Sequence, residues 1–97
     1  MAVGDPITTI TSISDGASLD IRPSGTETWL VTNIYLPDGI TGVDVKITDG
    51  TNAIKIDSPS GSLLTFNFYI TNAVYIQVVN NSGGSIVVGY DGVVVKA

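Results

Sequence analysis

The chain has 97 residues, the size of a single domain, and only 13% of them are charged, about half the usual share. It contains no cysteine and no histidine, which excludes disulfides, cysteine-ligated metals and nucleophile systems that need either residue. With so few charged side chains, we expect apolar surface to be covered by another subunit or partner, and therefore an oligomer.

The four basic residues are scattered along the chain, and the formal net charge is −5. Phosphate backbones and anionic membrane surfaces both require clustered lysine and arginine, so we expect neither nucleic acid nor a membrane as a partner. Residues 1–6 lack the basic-then-apolar pattern of a signal peptide, and no apolar run reaches transmembrane length.

The first segment, residues 1–14, is predicted to be an N-terminal arm and edge strand, followed by one sandwich domain over residues 15–97. Ile7, Ile10 and Ile13 are spaced by three, so Ile7 and Ile13 share a face and Ile10 lies on the other. Contact on both faces is typical of an arm between subunits, and an ordinary edge strand fits equally well. All three are interface candidates, and we expect the arm to become ordered only on contact with a partner.

The remaining chain is made of runs rich in Val, Ile and Thr, separated by turn residues, which predicts short strands. In one run Val43, Val45 and Ile47 alternate with polar residues, as in half-buried antiparallel strands. The regular spacing predicts an all-β fold, an eight-stranded antiparallel jelly roll or β-sandwich. The predicted strands are 7–14, 17–22, 28–36, 43–48, 53–58, 63–71, 74–80 and 86–95.

Alternation in the third strand turns Leu30 towards the core and three other side chains, Trp29, Val31 and Tyr35, outwards. Val87 lies on an outer face of the last strand for the same reason. An isolated domain would carry polar groups at such positions, so these four are interface candidates. A sugar-stacking platform is the alternative use of the same aromatic face.

Two hairpins can be predicted with their pairing. The dipeptide Asp49-Gly50 is typical of a two-residue type I′ turn, which would set Asp44 opposite Lys55, an attractive pair. A four-residue loop would instead set Lys46 opposite Lys55, which repel each other, so the two-residue turn is predicted. The loop at 80–84 predicts that the seventh and eighth strands pair directly.

The predicted core consists of the inward-facing apolar residues: Leu19, Leu30, Ile34, Leu36, Val43, Val45, Ile47, Ile54, Ile56, Leu64, Phe66, Phe68, Ile70, Val74, Ile76, Val78, Ile86, Val88 and Tyr90.

Residues that could carry chemistry are few. Glu27 is the only glutamate. Aspartates near turns serve local hydrogen bonds. Four of the eight aspartates precede glycine and are placed in this way: Asp15, Asp38, Asp49 and Asp91. We therefore expect no enzyme, no catalytic residue, no cofactor and no metal. Calcium is the one ion whose oxygen ligands the chain could supply, but no EF-hand spacing occurs, and its binding stays open.

Four features together carry a resemblance: the short Ser/Thr-rich N-terminal arm, the eight brief strands, the hairpin at 46–52, and the ending at 75–84 with 89–92. The chain resembles the small jelly-roll decoration (cement) or head-fibre-type structural proteins of tailed bacteriophages. The resemblance implies a homotrimer that binds the major capsid protein lattice and stabilises the capsid. It also implies the virion exterior as location, after synthesis in the host cytoplasm. A tail, baseplate or fibre module, or a carbohydrate-binding β domain, is the alternative.

Overall fold

The computed structural model describes residues 2–57 and 63–97 and contains eight strands there. Each strand end lies within one residue of its predicted position, and an all-β fold is confirmed. No helix among the described residues is long and apolar enough to span a membrane. The strands are β1 Pro6–Ile13, β2 Ser18–Ile21, β3 Thr28–Tyr35, β4 Val43–Thr48, β5 Ala53–Asp57, β6 Leu63–Thr71, β7 Tyr75–Asn80 and β8 Ile86–Lys96.

The strands form two four-stranded antiparallel sheets. Sheet 1 has the order β1-β8-β3-β6, and sheet 2 has the order β2-β7-β4-β5. Of the seven connections only β4 to β5 stays within one sheet, and the others cross from one layer to the other. The predicted β-sandwich is confirmed, and this repeated crossing is compatible with a jelly roll.

The core lies between the two sheets and is almost entirely aliphatic. Ile21, Ile34, Ile70 and Ile76 are at most 1% exposed. Each such side chain stabilises the fold by about 1.5–3 kcal/mol when removed from water, which is the main support in a chain without disulfides. Ile54, predicted to belong to this core, is 70% exposed, because it lies on the edge strand β5.

A β-bulge in β3 decides which of its side chains reach the core. From Val31 to Asn33 the partners on β8 are the adjacent residues Gly92 and Asp91, so Thr32 is an extra residue relative to β8. The pairing with β6 shifts at the same place, but there the partners run from Phe68 to Thr65, so the extra residue lies on β6. Thr32 resets the alternation, and Trp29 and Val31 point inwards as Ile34 does. The prediction that Trp29 and Val31 lie on an outer face is wrong, because strict alternation does not hold across a bulge.

The β4–β5 hairpin has a four-residue loop, and the predicted register is wrong. Lys46 lies opposite Lys55, and Thr48 opposite Ala53. A type I′ turn needs positive φ at both central residues, and no residue other than glycine has positive φ in the described chain. Instead the carboxylate of Asp49 accepts hydrogen bonds from the backbone N–H groups of residues 51 and 52, at 2.9 and 2.6 Å.

The predicted pairing of β7 with β8 is also wrong, because these strands belong to different sheets. Asn80, which is fully buried, holds the crossing loop. Its side-chain amide donates to the carbonyls of Ile13 and Gly84, at 2.9 and 2.8 Å. Its Oδ1 accepts from the backbone N–H of Ser82 at 3.0 Å. The loop is therefore fixed to the end of β1 and passes between the layers.

Candidate interaction surface

Exposed apolar side chains gather at one end of the outer face of sheet 1. In the register of the sheet, Ile10 of β1 lies opposite Gly89 of β8, and Gly89 lies opposite Tyr35 of β3. Val87 is two residues before Gly89 and points to the same side. Ile10 is 77% exposed, Val87 57% and Tyr35 43%. We call Ile10, Tyr35, Val87 and Gly89 the outer patch.

Gly89 shapes the centre of the outer patch. A Cβ at this position would lie 2.8 Å from the carbonyl oxygen of Thr9 and 3.2 Å from Cγ1 of Ile10. The strands can approach this closely only because the position has no side chain, and Ile10 covers the bare backbone. Beside it lies an open hollow of about 320 Å³, whose lining includes Leu36 and Pro37. The surface is therefore apolar and concave.

A polar network borders the outer patch. The carboxylate of Asp91 accepts hydrogen bonds from the Thr32 hydroxyl at 3.0 Å, from the Asn33 amide at 2.8 Å, and from the Tyr35 hydroxyl. Thr65 extends the network by donating to the Asn33 side-chain oxygen at 3.3 Å. The bulge that turns Trp29 inwards thus also places three polar side chains of β3 within hydrogen-bond distance of the Asp91 carboxylate.

The network sets the protonation states of its two central groups. The hydrogen bond from Tyr35, together with those from Asn33 and Thr32, holds the pKa of Asp91 below its usual range. The same bond to Asp91, with the negative charge beside it, raises the pKa of Tyr35. The phenol therefore stays a donor at neutral pH, and its ring is held in place at the edge of the outer patch.

Of the seven interface candidates predicted from sequence, three meet on this surface: Ile10, Tyr35 and Val87. The other four belong to the core of the chain itself, at 8% exposure or less: Ile7, Ile13, Trp29 and Val31. The indole N–H of Trp29 donates to the Glu27 carboxylate at 3.0 Å. Since Trp29 is buried, it offers no face on which a sugar could stack.

The N-terminal segment forms an ordinary edge strand. All eight residues of β1 pair with β8, from Pro6 opposite Val93 to Ile13 opposite Ile86. Ile7 and Ile13 are 5% and 4% exposed, so the strand closes one side of the core. Of the two alternatives predicted for this segment, the edge strand describes the pairing of β1 within its own chain.

Sequence reasoning missed the Asp91 network because Asp91 precedes a glycine and resembled a turn residue. It lies instead inside the longest strand, β8, opposite Asn33. A lone carboxylate between apolar residues of a strand was the available signal, since such a group needs partners from adjacent strands. Every buried side-chain polar atom among the described residues has a hydrogen-bond partner.

The acidic residues do not gather into a metal site within residues 2–57 and 63–97. No group of three or more His, Cys, Asp or Glu side chains there is placed to hold an ion.

Comparison with known proteins gives a fold and no family. No family model matches the chain, and no curated protein does. Among solved structures, the Drosophila NLP core has a TM-score of 0.53 and 13% identity over 92% of this chain and 98% of that one. Its crystal structure is described as giving insight into pentamer formation and histone binding. At this identity the likeness shows a shared fold alone.

A second structure is a pentameric capsid protein isolated from metagenomic phage sequences. It has a TM-score of 0.43 and 17% identity, and the match covers 92% of this chain and 61% of that chain. The TM-score is too low for this likeness to support an inference.

Proposed function

We propose that the chain is a non-enzymatic structural protein of a bacteriophage virion, which decorates and stabilises the capsid as an oligomer bound to the major capsid protein. The observation that carries the proposal is the outer patch: Ile10, Tyr35 and Val87 expose apolar surface around a bare glycine backbone. A soluble domain that acted alone would be expected to carry polar groups there.

The Asp91 network suits a contact surface. A hydrogen-bonded aromatic ring beside aliphatic side chains gives a preorganised anchor, and Tyr is among the residues enriched at interface hot spots. Because Asp91 already accepts three hydrogen bonds from side chains, its charge is compensated when water is excluded. The patch can therefore be buried without a free carboxylate beneath it.

Self-association is the second part of the proposal. The low charge content supports it, and so does the shared fold with the NLP core, whose structure is described as giving insight into pentamer formation. The resemblance to decoration proteins implies a trimer. Several linked copies bind a repeating capsid surface together, so weak contacts add up to firm attachment. The protein would be made in the host cytoplasm and would act on the capsid exterior.

The carbohydrate-binding alternative receives less support from the structure than from the sequence. It relied on an aromatic face that included Trp29, and Trp29 is only 8% exposed. The hydroxyl of Tyr35 is already engaged by Asp91. The outer patch thus lacks a broad, free aromatic plane.

Co-sedimentation with purified phage capsids tests the proposal. The wild-type protein should pellet with the capsid to which it belongs, and Val87→Asp should lose most of this binding. Val3→Asp is the matched control, because Val3 is 64% exposed and lies at the other end of β8, where Gly4 bonds to Val94. Both substitutions lie on the surface and should change stability by less than about 0.5 kcal/mol. Equal binding of Val87→Asp and wild type would contradict the proposed contact.

A further inference from the structure

The two edges of sheet 1 differ from the two edges of sheet 2 in charge. In the described structure β1 pairs only with β8, and β6 only with β3, so each has one open side. Neither strand contains a charged residue. In sheet 2 the edge strand β2 carries Asp20, and β5 carries Lys55. In natural proteins, charged residues on an edge strand prevent other chains from pairing with it. Neither edge strand of sheet 1 carries such a charge.

The open edges of sheet 1 are also complementary in direction. β1 is antiparallel to β8, β8 to β3, and β3 to β6, so β6 runs opposite to β1. A second copy rotated about an axis parallel to the strands keeps its β1 in the original direction. Its β1 can therefore lie antiparallel against β6 of the first copy, and the sheet continues with correct alternation.

We propose that copies of this chain assemble by pairing β6 of one copy with β1 of the next, so that sheet 1 runs from copy to copy around a closed ring. This inference rests on the self-association in the proposed function and specifies its interface. A twofold pairing of β1 with β1, or of β6 with β6, would leave one uncharged edge open in every copy. The ring pairs both edges of every copy, and closure prevents open-ended growth.

The side chains of the two strands match when the strands overlap fully. Pro6 then lies opposite Thr71, which sets Ile10 opposite Asn67 and Ser12 opposite Thr65. The side chains of Ile10, Asn67, Ser12 and Thr65 are all exposed, so this register sets the outer face of β1 beside the outer face of β6. A slip of one residue would instead bring exposed side chains against core-facing ones. Tyr69, which is 68% exposed, becomes a diagonal neighbour of Ile10 and can cover it.

Cysteine cross-linking tests this pairing cleanly, because the chain contains no cysteine. The double variant Ser12→Cys/Thr65→Cys should form, on mild oxidation, a ladder of covalent multimers that ends at the copy number of the ring. Neither single variant should cross-link alone, whereas an equimolar mixture of the two should give dimers. Asp20→Cys/Lys55→Cys, on the edges of sheet 2, is the matched control and should stay uncross-linked.

A pair of charge variants provides a test that depends less on register. Ile10→Lys/Asn67→Lys should dissociate the ring, because the two lysines face each other across the interface. Ile10→Lys/Asn67→Glu should keep it assembled, with circular dichroism showing that both variants remain folded. Under β1–β1 pairing position 67 lies outside the interface, so the two variants would assemble to the same extent.

Each outcome decides between the two proposals. Dimers formed by Ser12→Cys alone, or by Thr65→Cys alone, would overturn the ring in favour of twofold pairing. If light scattering shows an oligomer for the wild type and the same oligomer for both charge variants, the β6–β1 pairing is wrong and the proposal of self-association stands. A wild-type monomer at micromolar concentration would overturn both.

Discussion

Substituting Gly92 by alanine tests the closest approach of backbone segments in sheet 1. Gly92 lies in β8 opposite Val31, at the bulge of β3. A Cβ on Gly92 would lie 2.1 Å from the carbonyl oxygen of Leu30 and 2.9 Å from the Cα of Val31. These are backbone atoms in the middle of a sheet, so no side-chain rotation can relieve the overlap.

The expected cost follows from the size of the overlap. To restore an ordinary contact of 3.4 Å, β3 and β8 would have to separate by about 1.3 Å, and proteins pack too closely to absorb such a shift freely. Overpacking usually costs about 1–3 kcal/mol. The movement would also disturb the pairing of β3 with β6, so we expect about 3 kcal/mol or more. In a domain of this size that lowers Tm by roughly 12–24 °C.

Two other glycines calibrate the measurement. Gly89→Ala meets a milder overlap, with 2.8 Å to the Thr9 carbonyl oxygen, and should cost about 1–2 kcal/mol. Gly84→Ala meets no atom within 4 Å and has no positive φ, so it should be neutral or stabilise by up to about 1 kcal/mol. Thermal and urea unfolding at one fixed protein concentration give the comparison, since assembly makes Tm depend on concentration.

The order of the three variants is the result to check. Gly84→Ala should be the most stable and Gly92→Ala the least. If Gly92→Ala melted within two or three degrees of Gly84→Ala, the tight approach of β8 to the bulge of β3 would be wrong, and with it the inward position of Trp29.

Three further substitutions test the core, the crossing loop and the polar network. Trp29→Ala should lower the free energy of unfolding in urea by about 3–5 kcal/mol, and Val87→Ala by less than about 0.5 kcal/mol. Similar losses for both variants would mean that Trp29 is not buried in the core. Asn80→Ala should cost about 2–4 kcal/mol, because it removes the hydrogen bonds that a fully buried amide donates to the carbonyls of Ile13 and Gly84; a cost under about 0.5 kcal/mol would show that the loop does not depend on this side chain. The lowered pKa of Asp91 means that its carboxylate stabilises the fold above its unfolded pKa, near 4, and that this contribution is lost as pH falls through the folded pKa. Asp91→Asn should therefore destabilise by about 1 kcal/mol at pH 7, allowing for partial exposure, and the difference should shrink at acidic pH; a difference that is constant with pH would mean that the charge plays no part.

Strand positions could be predicted from the sequence because they depend on local properties. Runs of β-branched residues favour extended backbone, and glycine, proline and turn-forming aspartate interrupt them. Every predicted strand end therefore lies within one residue of the structure, and the β-sandwich follows from eight short strands in a chain without helical periodicity. The outward positions of Tyr35 and Val87 agree with the alternation predicted for their strands.

Pairing depended on tertiary structure. The prediction that β7 pairs with β8 assumed that strands adjacent in sequence pair in space. In the structure the two strands lie in different sheets, and the buried amide of Asn80 bonds the loop between them to Ile13 at the end of β1. The predicted facing of Asp44 and Lys55 assumed that cross-strand charges set the register. In the structure the hydrogen bonds of Asp49 in the loop outweigh a repulsion between Lys46 and Lys55 near the surface, where water screens it.

The faces of β3 show most clearly what sequence alone decided and what it left to the fold. Periodicity identified β3 as a strand, since alternation is a property of the extended chain itself. Which of its side chains point inwards depends on Thr32, the extra residue relative to β8, and this bulge exists only because β8 pairs with β3 on both sides of it. One unpaired residue moves Trp29 and Val31 into the core and aligns Asn33 and Tyr35 with Asp91, and no local pattern in the sequence records that shift.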